Sequence, residues 1–271
     1  MKLHLFLFFI AFNLSNVLAQ TEIKIGCAYT CDSSTESALK QTSKSFPIKL
    51  KLIDLTKVKE VKWNELHGIV IPGGVDINPK YYLQHVEPDL QAYTRNLDHL
   101  VEYTRSGEAR DAFEYSLLRD YYTNPSLTTF PMLGLCRGMQ IMSVALGIPL
   151  YVDIKTELGI ENRRDLYDQI EVADVDSIMA KIFPVASFPG YKNHHQGLRV
   201  SYYMEHKKRW PNVKVTAFSN NKKIAEGLEL LDRPALGVQF HPEADDNSVR
   251  KYVFTWFLKK AIERKDAEVY Q

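Results

Sequence analysis

Residues 131–147 read Pro-Met-Leu-Gly-Leu-Cys-Arg-Gly-Met-Gln-Ile-Met-Ser-Val-Ala-Leu-Gly. Pro131 to Leu135 is a short apolar run of the kind that forms a buried parallel strand, and Met139 to Leu146 is expected to be a helix. Cys136 sits at the turn between them, with Gly134 and Gly138 two residues to either side. That is the pattern of a nucleophile elbow with sulfur as the reacting atom. The small neighbours let strand and helix come close, the turn strains the nucleophile's backbone, and the helix start offers free N–H groups that favour a thiolate. The bland alternative is a small buried cysteine in a glycine-bordered strand.

Outward from this stretch the chain alternates strand and helix. Ile23 to Tyr29, Pro47 to Leu55 and Gly68 to Ile71 read as strands, the last stopped by Pro72-Gly73-Gly74. Residues 79–108 are polar and show no strand, a length suited to a lid or substrate-binding insertion. Arg110 to Tyr122 reads as a helix, Val213–Phe218, Lys223–Leu230 and Ala235–Phe240 as strands, and Ser248 to Arg264 as the last helix. Alternation of this kind predicts one three-layer α/β domain, a mainly parallel sheet with helices on both faces, over residues 20–271. Ligands of such sheets bind beyond the carboxyl ends of the strands. His241 and Glu243 in Gln239-Phe240-His241-Pro242-Glu243 fall there, either a base with a group to orient it or a surface histidine beside an unrelated glutamate, and so do Gly73 and Gly74, either bare N–H groups for an oxyanion or a plain turn.

Composition excludes several classes. The 271 residues carry 34 Lys plus Arg against 33 Asp plus Glu, a net charge of +1, so no electrostatic case exists for nucleic acid or an anionic membrane as partner. Residues 1–19, with Lys2, an apolar run from Leu5 to Phe12 and Val17-Leu18-Ala19, read as a secretory signal peptide, too short to span a bilayer. Export to the periplasm or medium is expected, with no membrane attachment after cleavage. Outside the cytosol Cys27 and Cys31 have two outcomes, a disulfide across a short loop or two buried thiols. His194, His195, Cys27 and Cys31 fit no usual zinc spacing, so no metal site is expected.

Taken together, Pro72–Pro79 with Tyr81 and Tyr82, Arg110-Asp-Ala-Phe-Glu114, Cys136-Arg-Gly-Met-Gln140, His194-His-Gln-Gly197 and Gly237–Glu243 resemble the class I glutamine amidotransferase fold, which is flavodoxin-like. Within that fold they resemble the bacterial γ-glutamyl-γ-aminobutyrate hydrolases of the C26 cysteine peptidases. The resemblance implies Cys136 as nucleophile, His241 as base, Glu243 as third triad member, and oxyanion donors at Gly74 and Arg137. It implies a γ-glutamyl pocket lined by Gly73, Gln140, His194 and Gln196, a small γ-glutamyl compound as substrate, and no cofactor. Arg110, Asp111 and Glu114 match the family's helix motif and are expected to be a structural network anchoring the lid. The family's Val-Asn-Ser-like stretch is replaced by Gly190-Tyr191-Lys192-Asn193, so the leaving group does not carry over. Arg137 stands where the exported folate γ-glutamyl hydrolases have leucine. Two other readings share the fold: a glutaminase subunit feeding ammonia to a synthase, and an idle binder of glutamyl ligands. A homodimer is compatible with the sequence.

Overall fold

The computed structural model describes residues 20–102, 104–161, 166–245 and 248–268. The expected leader, residues 1–19, lies outside them. The elements in chain order are β1 (Thr21–Cys27), α1 (Ser33–Ser43), β2 (Ile48–Asp54), β3 (Gly68–Ile71), α2 (Lys80–Leu83), α3 (Pro88–Asn96), α4 (Arg105–Thr123), β4 (Met132–Leu135), α5 (Arg137–Ala145), β5 (Leu150–Tyr151), α6 (Ile154–Leu158), β6 (Leu166–Val172), α7 (Ile178–Ile182), β7 (Ser187–Lys192), β8 (Gly197–Leu198), α8 (Val200–His206), β9 (Val213–Ser219), β10 (Ile224–Leu230), β11 (Ala235–Val238) and α9 (Ser248–Glu268). None of the described helices is long and apolar enough to cross a membrane.

Nine strands form one sheet in the order β2-β1-β3-β4-β11-β10-β9-β6-β7. The parallel arrangement expected from the sequence holds from β2 to β11, the half that carries the site. From β11 outward the ladders are antiparallel, because β9, β10 and β11 follow one another through short connections with no room for a crossover helix.

Helices cover both faces of the sheet, and consecutive strand residues alternate between two cores. Ile69, Ile71 and Met132 meet Met139 and Met142 of α5 and Leu117 and Leu118 of α4 on one face. Val70, Leu133 and Leu135 meet Val253, Phe254 and Phe257 of α9 on the other. β3, β4 and β11 are fully buried, so a continuous apolar run was their signal. The described residues of the 79–108 insertion form helices and no strand. Cys27 and Cys31 form a disulfide at the carboxyl end of β1, with Cα atoms 5.3 Å apart.

Candidate active site

The parallel strands β3, β4 and β11 end side by side, and each delivers one part of the site. β4 delivers Cys136. Its N–H donates to Val238 O at 2.7 Å, holding the elbow against β11. Its φ of 49° lies in the left-handed region that a non-glycine residue rarely occupies, a strain held in place by the packed strand and helix around it. A Cβ on Gly138 would overlap Ile71 O and one on Gly134 would overlap the backbone of Gly138, which is why this turn needs both glycines. Helix α5 starts at Arg137, two residues before the sequence predicts, so Cys136 is its N-cap residue. The thiol is 3% exposed.

Just past β11, His241 is held by its N–H donating to Tyr191 O at 2.9 Å. Its Nδ1 lies 2.6 Å from Glu243 Oε1. With that nitrogen engaged, Nε2 is the atom left for the sulfur. It has no hydrogen-bond partner at conventional range, yet the ring is close enough to Cys136 to feel its charge. Burial alone would lower the imidazole pKa. Its interactions with Cys136 and with the Glu243 carboxylate outweigh it and push the value up to about 12.

β3 delivers the glycine loop. A Cβ on Gly73 would stand 3.8 Å from Cys136 Cβ and 3.4 Å from His241 Cε1, so this loop passes directly beside the thiol and the imidazole. On its far side lies a buried ionic cluster. Arg110 Nε donates to Glu114 Oε1 at 2.8 Å, and Arg137 pairs with both Glu114 and Asp111. Asp111 Oδ2 accepts from Asn78 N at 2.9 Å. The Arg137 side chain is wholly buried in this cluster, so only its backbone faces the turn.

The remaining predicted residues, Gln140, His194 and Gln196, form a buried polar network. Gln140 Nε2 donates to Gln196 O at 2.9 Å, and Gln196 Oε1 accepts from Ile77 N at 3.0 Å, tying α5 to two loops. His194 is kept neutral by burial, which lowers its pKa to about 4. Its Nδ1 lies 2.9 Å from Gln196 O, so Nδ1 carries the proton and Nε2 is a bare acceptor without a partner among the described residues. The neighbouring His195 bridges Asp76 at 2.8 Å and Asp153 at 3.3 Å, and the Asp76 bond raises its pKa. Sequence reasoning missed Gln239, whose Nε2 reaches Cys136 Sγ at 3.5 Å. It stands two residues before His241, a spacing that puts both on one side of an extended chain and was the available signal. Among the described residues no cluster of three or more His, Cys, Asp or Glu could hold a metal ion.

An elbow cysteine beside an imidazole–carboxylate pair at the carboxyl ends of parallel strands defines a cysteine hydrolase or amidotransferase of the class I glutamine amidotransferase fold. Residues 19–243 match the peptidase C26 family, and the chain belongs to it. It is 27% identical to protein NtpR of Enterococcus hirae over 232 residues, 81% of this chain and 85% of that one. It is 30% identical to a glutamine-hydrolyzing GMP synthase subunit of Ignicoccus hospitalis over 129 residues, 48% of this chain and 59% of that one. A glutamine amidotransferase structure from Thermotoga maritima shares the fold, with a TM-score of 0.53 and 13% identity over 90% of this chain and 85% of that one.

Proposed function

We propose that the protein hydrolyses the γ-glutamyl amide bond of small γ-glutamyl compounds through a glutamyl thioester on Cys136. The observation that carries the reading is the Cys136–His241–Glu243 arrangement, with Nδ1 locked to the carboxylate at 2.6 Å and the other face of the ring turned to the sulfur. The thiolate attacks the γ-carbonyl carbon, and the oxygen takes the negative charge beside the N–H groups of Gly74 and Arg137. The tetrahedral adduct collapses, the C–N bond breaks, and the His241 imidazolium gives its proton to the leaving amine. The now neutral ring takes a proton from water, which attacks the thioester and releases glutamate and the thiolate. Gly73, Gln140, His194 and Gln196 supply the wall of the pocket.

Export of the mature chain, residues 20–271, belongs to the same reading. A disulfide in a chain of this size suits an oxidising compartment. An N-terminal peptide beginning at Gln20 in the exported fraction is the expected result.

A second reading, an amidotransferase subunit that passes ammonia to a synthase, is favoured by the likeness to a GMP synthase subunit. One assay separates them. The isolated mature protein is presented with γ-glutamyl amines, γ-glutamyl peptides, polyglutamates and glutamine. Turnover of the amines or peptides well above glutamine supports the hydrolase, and glutamine alone supports the subunit. Unchanged turnover in Cys136→Ala would refute both.

A further inference from the structure

The buried arginine of α4 does more than anchor an insertion. Arg110 Nη1 donates to Gly73 O at 2.9 Å and Nη2 donates to Pro72 O at 2.7 Å. One guanidinium therefore holds two successive carbonyls of the loop that follows β3. In a trans peptide the C=O of one residue and the N–H of the next point in opposite directions. Fixing the carbonyls of Pro72 and Gly73 toward Arg110 thus fixes the N–H groups of Gly73 and Gly74 away from it. Cys136 and His241 stand against Gly73, while the Cβ position of Gly74 looks onto Arg110, so the loop is a thin layer between arginine and nucleophile.

The guanidinium is itself immobilised on every side. Glu114 takes its Nε at 2.8 Å, and the ring of Tyr29, within the loop closed by the Cys27–Cys31 disulfide, lies 5.2 Å beneath it. Glu114 also pairs with Arg137, whose backbone N–H is the second oxyanion donor in the proposed reaction. One carboxylate therefore couples the two donor segments, the glycine loop through Arg110 and the elbow through Arg137.

We propose that Arg110 is a positioning residue that aims the glycine-loop N–H groups at the oxyanion formed when Cys136 attacks a carbonyl. The role rests on the reading of Cys136 as an acyl-accepting nucleophile and is independent of which acyl group it accepts. Without the guanidinium the two peptide planes are free to turn, while sulfur, imidazole and Glu243 stay in place. The step that suffers is acylation, which builds an oxyanion. Alkylation of the same sulfur by a haloacetamide displaces a halide and builds none.

The test compares the two reactions on the full mature chain. Acylation is read as the p-nitrophenolate burst from p-nitrophenyl acetate, with Cys136→Ala as blank, and alkylation as the rate of iodoacetamide incorporation at Cys136. Arg110→Met is expected to slow acylation by about 10²-fold, the scale of losing one oxyanion donor, with alkylation changed by less than about 3-fold. Arg110→Lys, which keeps the buried charge and reaches one carbonyl, is expected to fall between. It decides the matter if the methionine variant does not fold. An equal fall in both reactions, or none in acylation, overturns the proposal, as does the absence of a Cys136-dependent burst in the unmodified protein. A normal burst with no turnover of any γ-glutamyl compound would instead sink the substrate assignment, and the ratio of the two rates would still judge Arg110.

Discussion

Glu243 does two things to His241: it fixes which nitrogen carries the proton, and it helps raise the imidazole pKa to about 12. Glu243→Gln keeps a hydrogen-bond acceptor and removes the charge. Turnover is expected to fall by about 10²-fold, within the usual range for general acid–base catalysis. The basic limb of the kcat/KM profile reports loss of the imidazolium proton, so removing an anion that favours that proton moves the limb to lower pH. An unmoved limb would show that the carboxylate does not tune the ring. The motifs and the family resemblance singled out Cys136, His241 and Glu243 in the sequence, and the structure brings the three side chains together. The action of Arg110 was not legible there. The helix pattern shows a buried ionic group, and only coordinates show that its donors land on the carbonyls of Pro72 and Gly73. Gln239 was overlooked although its place two residues before His241 was a signal, and its contact with Cys136 shows only in the coordinates.

Among elements, legibility followed burial. β3 and β4 are four-residue strands buried throughout, and their apolar runs announced them. β6 and β7 mix exposed and buried positions, with Leu166 and Tyr167 facing solvent and Pro189 and Gly190 inside β7, so neither propensity nor alternation marks them. The start of α5 moved toward Cys136 because residues 137 and 138 are wrapped in tertiary contacts that outweigh the weak helix preference of Gly138. The loop after β1 supplies an element-scale prediction. The disulfide closes a loop of only four-residue separation. Chain entropy then gives about 2 kcal/mol of stabilisation. Replacing both Cys27 and Cys31 with alanine should lower stability in urea by about that amount. Because Tyr29 lies in this loop against Arg110, acylation of Cys136 should also slow relative to alkylation. A stability loss with the ratio unmoved would confine the staple to folding.

Two buried groups outside the triad, Glu226 and His194, shape stability as pH changes. Glu226 on β10 accepts from Ser219 Oγ at 2.7 Å, and its other oxygen has no partner among the described residues. Burial raises its pKa from 4.5 to about 8, and burial lowers that of His194 from 6.5 to about 4. The stabilisation tied to Glu226 is complete below pH 4.5 and is lost as pH rises through 8, since the unfolded chain gives up a proton that the native state keeps. That tied to His194 is complete above 6.5 and is lost as pH falls toward 4, since the unfolded chain takes a proton that the native state refuses. Between 4.5 and 6.5 each state binds one proton across the pair, so the two contributions cancel. From 6.5 to 8 the Glu226 contribution falls by about 2 kcal/mol, and the raised pKa values of His195 and His241 act in the same direction. Glu226→Gln keeps an acceptor for Ser219 and has nothing to ionise. In urea unfolding at pH 6 and pH 8.5 the parent chain should weaken by about 2 kcal/mol more than the variant. Equal weakening in both would mean that Glu226 is ionised in the native state, offset by the positive charges of Lys192 and His241.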